Sequence, residues 1–185
     1  FDYSLGNPSV PVPQEFTDAM VRLLQEKNPM ELHGYSPSLG ITSVREKIAV
    51  SLEKRFGIPY KKEHIFMTSA AAGAIAHALR LVVEPGDEVL VFAPFFPEYR
   101  PYIEMTGAVL KVVPPDTETF QINFAAFEEM LTDKVKAILI NTPNNPSGIV
   151  YSTATVRNSS QWRITRGASR RMSLSPSSAS RCCIC

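Results

Sequence analysis

Three segments of this 185-residue chain combine residue types that could hold a small ligand. The first is Thr68-Ser69-Ala70-Ala71-Ala72-Gly73-Ala74, between a short apolar run and a helical pattern. Small side chains let a backbone come close to a ligand, and free N–H groups with the helix dipole favour a phosphate. The same composition also suits a tight strand-to-helix turn. Neither GxGxxG nor GxxxxGK[ST] occurs, so a dinucleotide or nucleoside triphosphate site has no support. The second is Pro94-Phe95-Phe96-Pro97-Glu98-Tyr99. Two prolines around adjacent aromatics fix a rigid loop, whose rings can stack on a flat ligand or plug the sheet beneath. The third is Asn141-Thr142-Pro143-Asn144-Asn145-Pro146-Ser147-Gly148, where successive Asn-Pro steps hold side-chain amides outward from a strand end.

Other chemistry finds little footing. His33, His64 and His77 lack metal-ligand spacing and read as ordinary histidines. No GxSxG nucleophile elbow is present. The end Cys182-Cys183-Ile184-Cys185 fits a prenylation box only formally.

The elements that must position these segments follow from periodicity. Residues 1–13 read as an extended lead-in. A helix is expected over 14–27, with Phe16, Met20, Leu23 and Leu24 on one stripe. Residues 33–40 form a turn-rich loop, and Ser43 with Glu46 makes a capping-box pattern opening a helix to about residue 55. Its Val44, Ile48 and Leu52 should face inward. Strands are expected at 64–67, 88–92, 108–113 and 136–141, and helices at 71–82, 97–106 and after Asn123. Short apolar strands separated by helices imply an α/β fold, a mostly parallel sheet with helices on both faces. In such sheets ligands sit at the carboxyl ends of the strands, where all three segments arrive.

Composition bounds the class. Hydrophobic residues at 44% and charged residues at 20% exclude a wholly disordered or collagen-like chain. No apolar run approaches the ~18 residues of a membrane helix, so no membrane is expected. A net charge of +1 argues against a general nucleic-acid binder. The average hides a break. Residues 1–152 hold 13 basic and 18 acidic residues and no cysteine. Residues 153–185 hold six arginines, the three cysteines and Trp162, with no Lys, Asp or Glu. The tail therefore reads as disordered and of different origin, an out-of-frame continuation or a short basic appendage. The chain begins at Phe1 and reads as cut at its start. A partial sheet with an exposed apolar edge predicts poor solubility.

Taken in order, the segments resemble the class I/II aminotransferases, the fold-type I pyridoxal-phosphate (PLP) enzymes. The resemblance rests on Leu5-Gly6-Asn7-Pro8; Gly34-Tyr35 with Leu39-Gly40-Ile41 and Val44-Arg45; Thr68-Ser69-Ala70-Ala71; and Pro85-Gly86-Asp87-Glu88-Val89-Leu90-Val91. It extends through Pro94-Phe95-Phe96-Pro97-Glu98-Tyr99 to Asn144-Asn145-Pro146-Ser147-Gly148, the most specific match. It covers about residues 1–152.

The resemblance implies a partial PLP-transferase fold: an N-terminal arm, helix and loop (1–40), a partial large PLP-binding domain (41–152), and the tail (153–185). It implies that the backbone of Ala70, Ala71 and Ala72 cups the cofactor phosphate. The family usually has Gly or Ser first and a hydroxyl or amide residue third, where this chain has alanine. Phe96 matches the aromatic that stacks on the pyridine ring. Asn145 matches the amide that bonds the ring's phenolic oxygen, beside the substrate. Tyr35 matches a tyrosine that reaches the phosphate of a neighbouring subunit, which implies a homodimer. Gly6 lies in a segment passing over the substrate carboxylate. The implied reaction moves an amino group between an amino acid and a 2-oxo acid, in the cytoplasm. Sister reactions on this fold, such as carbon–sulfur β-lysis, use the same cofactor residues. The family's cofactor-holding lysine, ring aspartate and carboxylate-gripping arginine all follow the Asn-Pro motif. After Ser152 this chain has neither lysine nor aspartate, so no catalytic residue is assigned and the 185 residues are expected to be inactive.

Overall fold

The computed structural model describes residues 10–156. The chain forms two compact units, Phe1–Met67 and Thr68–Cys185.

The first unit is helical. Helix α1 covers Gln14–Glu26, α2 Pro29–His33 and α3 Thr42–Phe56, followed by a 3₁₀ turn at Lys62–His64. Helix α2 takes in His33, where a loop was expected. Pro29 opens it, and the Asn28 side chain caps it by accepting from the Met30 N–H at 2.8 Å. Helix α3 ends at Gly57, whose φ of 68° and N–H bond to the Glu53 carbonyl form a left-handed cap.

Three expectations change here. The capping box does not form. Ile41 is the N-cap, Ser43 sits inside the first turn, and Glu46 instead pairs with Lys62 at 2.7 Å. Residues 64–67 are not a strand. The carbonyls of Lys62 and Ile65 are instead bonded by the Arg45 side chain. The inward side of α3 is also rotated. Arg45 and Ala49 are buried, Ile48 and Leu52 half-buried, and Val44 exposed. The α1 stripe of Phe16, Met20, Leu23 and Leu24 is solvent-facing throughout.

The second unit is an α/β layer structure. Helix α4 covers Ala70–Val82, strand β1 Glu88–Phe92, α5 Tyr99–Glu104, β2 Val109–Val113, α6 Phe124–Glu129 and β3 Val135–Leu139. The strands form a parallel sheet in the order β2-β1-β3, three strands among the described residues where four were expected. Glu88 pairs with Val109 and Phe92 with Val113 on one side, and Val91 with Leu139 on the other.

The central strand is apolar on both faces because both are covered. Val89 and Val91 pack with Ile75 and Leu79 of α4 and Ile103 of α5. Leu90 and Phe92 pack with Val113, Phe127, Val135 and Tyr151. Phe127 is fully buried, its ring 5.4 Å from that of Phe92. Truncating such a side chain to alanine costs about 3–5 kcal/mol. Asn123 caps α6 as expected, accepting from the Ala126 N–H at 3.1 Å.

Residues 153–156 form a helical turn in which Thr155 is buried and bonded to Ser152 and Gln121. The described helical structure thus runs past Ser152. Gly6, Trp162, the terminal cysteines and all six tail arginines lie outside the described residues. Among the described residues, no helix is long and apolar enough to cross a membrane, and no group of His, Cys, Asp and Glu could hold a metal.

Candidate active site

All three strands run the same way, so their carboxyl ends share one edge of the sheet. The loop after β1 carries Pro94, Phe95 and Phe96, and the loop after β3 carries residues 140–148. Helix α4 joins this edge by its N-terminus. Its thirteen residues rise about 20 Å. They pack on β1 and end close to the strand's start, so the helix runs back against the strand direction. The topology thus collects Ala70, Ala71, Ala72, Phe96 and Asn145 at one end of the second unit. Tyr35 belongs to the first unit, in the turn after α2, and is fully exposed.

The start of α4 is open to an anion. Ser69 is the N-cap but makes no side-chain bond to the first-turn N–H groups. The Thr68 hydroxyl donates to the Ala70 carbonyl at 3.0 Å, so its proton is already engaged by the first residue of the helix. Ala70 and Ala71 are exposed and Ala72 half-buried. The first-turn N–H groups and the positive end of the helix dipole therefore face outward uncapped. Ala70 has a φ of 57°, a left-handed backbone that a Cβ resists by roughly 1–2 kcal/mol.

The aromatic loop is held from below. Phe96 is half-buried, its ring 5.8 Å from Tyr99 in an edge arrangement at 76°. Phe95 lies against the same tyrosine at 6.4 Å and 10°. Tyr99 is buried, and burial pushes its phenol above the ordinary tyrosine value, with the nearby Tyr102 adding to the shift.

The third loop is a closed turn. The Asn144 N–H donates to the Ile149 carbonyl and the Gly148 N–H to the Asn144 carbonyl, both at 2.8 Å. The buried Asn144 side chain accepts from the Ser147 N–H at 3.2 Å and hydroxyl at 2.8 Å. Asn145 is exposed, and its N–H donates to Asn141 Oδ1 at 2.7 Å.

These groups match PLP in part. An uncapped helix start suits a phosphate, a supported half-buried ring suits a flat heterocycle, and an outward amide suits a ring oxygen. The segments at this edge contain no lysine or aspartate.

The sequence profile of the class I and II aminotransferases matches residues 2–161. The chain belongs to this family. The aminotransferase match runs past Ser152, where the charge composition changes. An aspartate aminotransferase of Thermotoga maritima is 37% identical over 151 residues, covering 79% of this chain and 38% of that one. A probable N-succinyldiaminopimelate aminotransferase of Mycobacterium tuberculosis is 35% identical over 72% of this chain and 34% of its own length. The solved aminotransferase of Eubacterium rectale superposes with a TM-score of 0.82 at 38% identity, over 86% of this chain and 40% of that one. The chain thus spans about two fifths of the length of these relatives. PLP is the cofactor of the aminotransferase family, and the partial fold expected from the sequence agrees with the Eubacterium rectale enzyme.

Asn141, Asn144 and Tyr99 were not singled out by sequence reasoning, although all lie in the segments it marked. Their roles depend on which neighbour each bonds. Asn141 had one local signal, an Asx residue four positions before the outward amide in a turn-forming run.

Proposed function

We propose that this chain forms the cofactor-holding part of a PLP-dependent aminotransferase that moves an amino group between an amino acid and a 2-oxo acid. The observation that carries this reading is the meeting, at one sheet edge, of the α4 start, Phe96 and Asn145 in a chain of this family. The backbone of Ala70, Ala71 and Ala72 binds the phosphate, without side-chain hydroxyls. Phe96 stacks on the ring and excludes water from one face. Asn145 donates its amide to the ring's phenolic oxygen and borders the substrate. When bound, PLP accepts the electron pair left at the amino acid's α-carbon and carries the amino group. Moving the proton at that carbon needs a base, and the three segments at this edge carry no lysine to supply it. Tyr35 reaches the phosphate site of a second copy in a homodimer. A body free of cysteine, together with PLP chemistry, supports the cytoplasm.

The test is a chimera in which residues 2–152 replace the matching part of the Thermotoga maritima enzyme. Glutamate formed from an amino acid and 2-oxoglutarate supports the reading. Release of pyruvate and ammonia instead points to a lyase. A chimera that folds but does not load PLP removes the proposal.

A further inference from the structure

We propose that Asn141 is a positioning residue that sets the direction of the Asn145 amide, an inference resting on the role of Asn145 proposed above. Asn145 has two anchors, both earlier in the chain. Next to it, the buried Asn144 closes the turn through its own N–H, carbonyl and side chain. Four residues before it, Asn141 follows β3 by two residues and is half-buried. β3 is locked to the central strand through the Val91–Leu139 pairing. Among the described residues, the one hydrogen bond from that frame to Asn145 is the 2.7 Å contact from its N–H to Asn141 Oδ1. Pro146 narrows the backbone of the residue before it. With the N–H also fixed, the Asn145 Cα–Cβ direction is set and only its side-chain torsions remain. The Asn145 side chain itself makes no hydrogen bond among the described residues, which leaves its amide available to a ligand oxygen. A 2.7 Å bond lies at the short end for N–H to oxygen.

The test uses the 185-residue chain and two probes that cannot react with lysine: pyridoxamine 5′-phosphate and its analogue lacking the ring 3-oxygen. Wild type should prefer the first by about tenfold, the worth of one good hydrogen bond. Asn145→Ala should abolish that preference. Asn141→Ala should abolish it equally, leaving affinity for the deoxy analogue within about twofold. Asn141→Asp, which keeps the acceptor oxygen, should restore most of it; failure to do so overturns the hydrogen bond as the cause. Loss in Asn145→Ala with full retention in Asn141→Ala overturns this proposal and leaves the reading of Asn145 standing. No preference in wild type, or no binding of either probe, overturns both. If Asn141→Ala does not fold, amide exchange in wild type decides. A protected Asn145 N–H supports the proposal, and one exchanging as fast as an open loop amide overturns it.

Discussion

The Arg45 Nε donates to the Ile65 carbonyl oxygen at 2.8 Å, twenty positions along the chain. Its Nη2 reaches the Lys62 carbonyl as well, at 2.6 Å. Arg45 is buried, at 8% exposure, so these two bonds replace the water its guanidinium lost. They hold residues 62–65 to α3 without a strand. Arg45→Met should destabilise the first unit by about 2–4 kcal/mol, because two carbonyls lose a charged donor. Arg45→Lys should recover only part of this, since an ammonium cannot copy the fork. Urea unfolding followed by helical circular dichroism measures both. A loss below about 0.5 kcal/mol for Arg45→Met contradicts the clamp.

The first residue of α4 carries strain that its side chain does not need. With φ at 57°, Ala70→Gly should stabilise the second unit by up to about 1 kcal/mol, the strain relief outweighing glycine's greater unfolded freedom. Gly73→Ala should also gain about 0.5–1 kcal/mol. Its added Cβ would lie 3.4 Å from the Thr68 Cβ, an ordinary contact, inside a helix. Urea midpoints at constant slope report both, and destabilisation by Ala70→Gly would show that this backbone is not strained.

Stability and phosphate binding should part company at Ala71. An aspartate in the first turn of α4 favours the helix by about 0.3–1 kcal/mol. The same charge repels a phosphate brought to those N–H groups. Ala71→Asp should therefore melt higher yet bind pyridoxamine 5′-phosphate at least about tenfold more weakly. Unchanged binding would place the phosphate elsewhere.

The exposed Asp116 and the half-exposed Lys62 give the chain opposite pH responses. The N–H groups of Thr119 and Glu118 hold the Asp116 carboxyl below its ordinary value. That depressed value stabilises the turn above the unfolded carboxyl's value of about 4, and the effect is lost as pH falls through the folded value. Asp116→Asn keeps the acceptor oxygen and should remove this acid-side slope. The Lys62 ammonium is held above its ordinary value by its bond to Glu46, then by that carboxylate's charge. Its contribution is present below the ordinary lysine value and lost as pH rises through the folded one. Glu46→Gln should flatten the alkaline arm alone. NMR titration of the turn amides and of the Lys62 side chain reads the two separately.

The second unit was legible in the sequence because its signals are local. The apolar run at 88–92 reads as a covered strand, and Asn123 before an apolar periodicity reads as a helix cap. The first unit was harder. Phe16, Met20, Leu23 and Leu24 have the spacing of a buried stripe, yet they face solvent, since periodicity shows a face and not what covers it. Residues 64–67 look like a strand because apolar composition does not reveal that Arg45 bonds the neighbouring carbonyls. The site segments could be marked by residue type alone. The parts played by Asn141, Asn144 and Tyr99 could not, because each depends on a partner fixed only by the fold.

The strand order β2-β1-β3 also sets a timetable for synthesis. β1 can pair with β2 as soon as both have left the ribosome, but its other side must wait for Val135, which pairs with Glu88. Val135 follows Val113, the last residue of β2, by 22 positions, which at roughly 5–20 residues per second take about 1–4 seconds to translate. Throughout that interval β1 stands half-zipped. Nascent-chain binding by a holdase should therefore peak after Phe92 emerges and fall once Leu139 has cleared the exit tunnel.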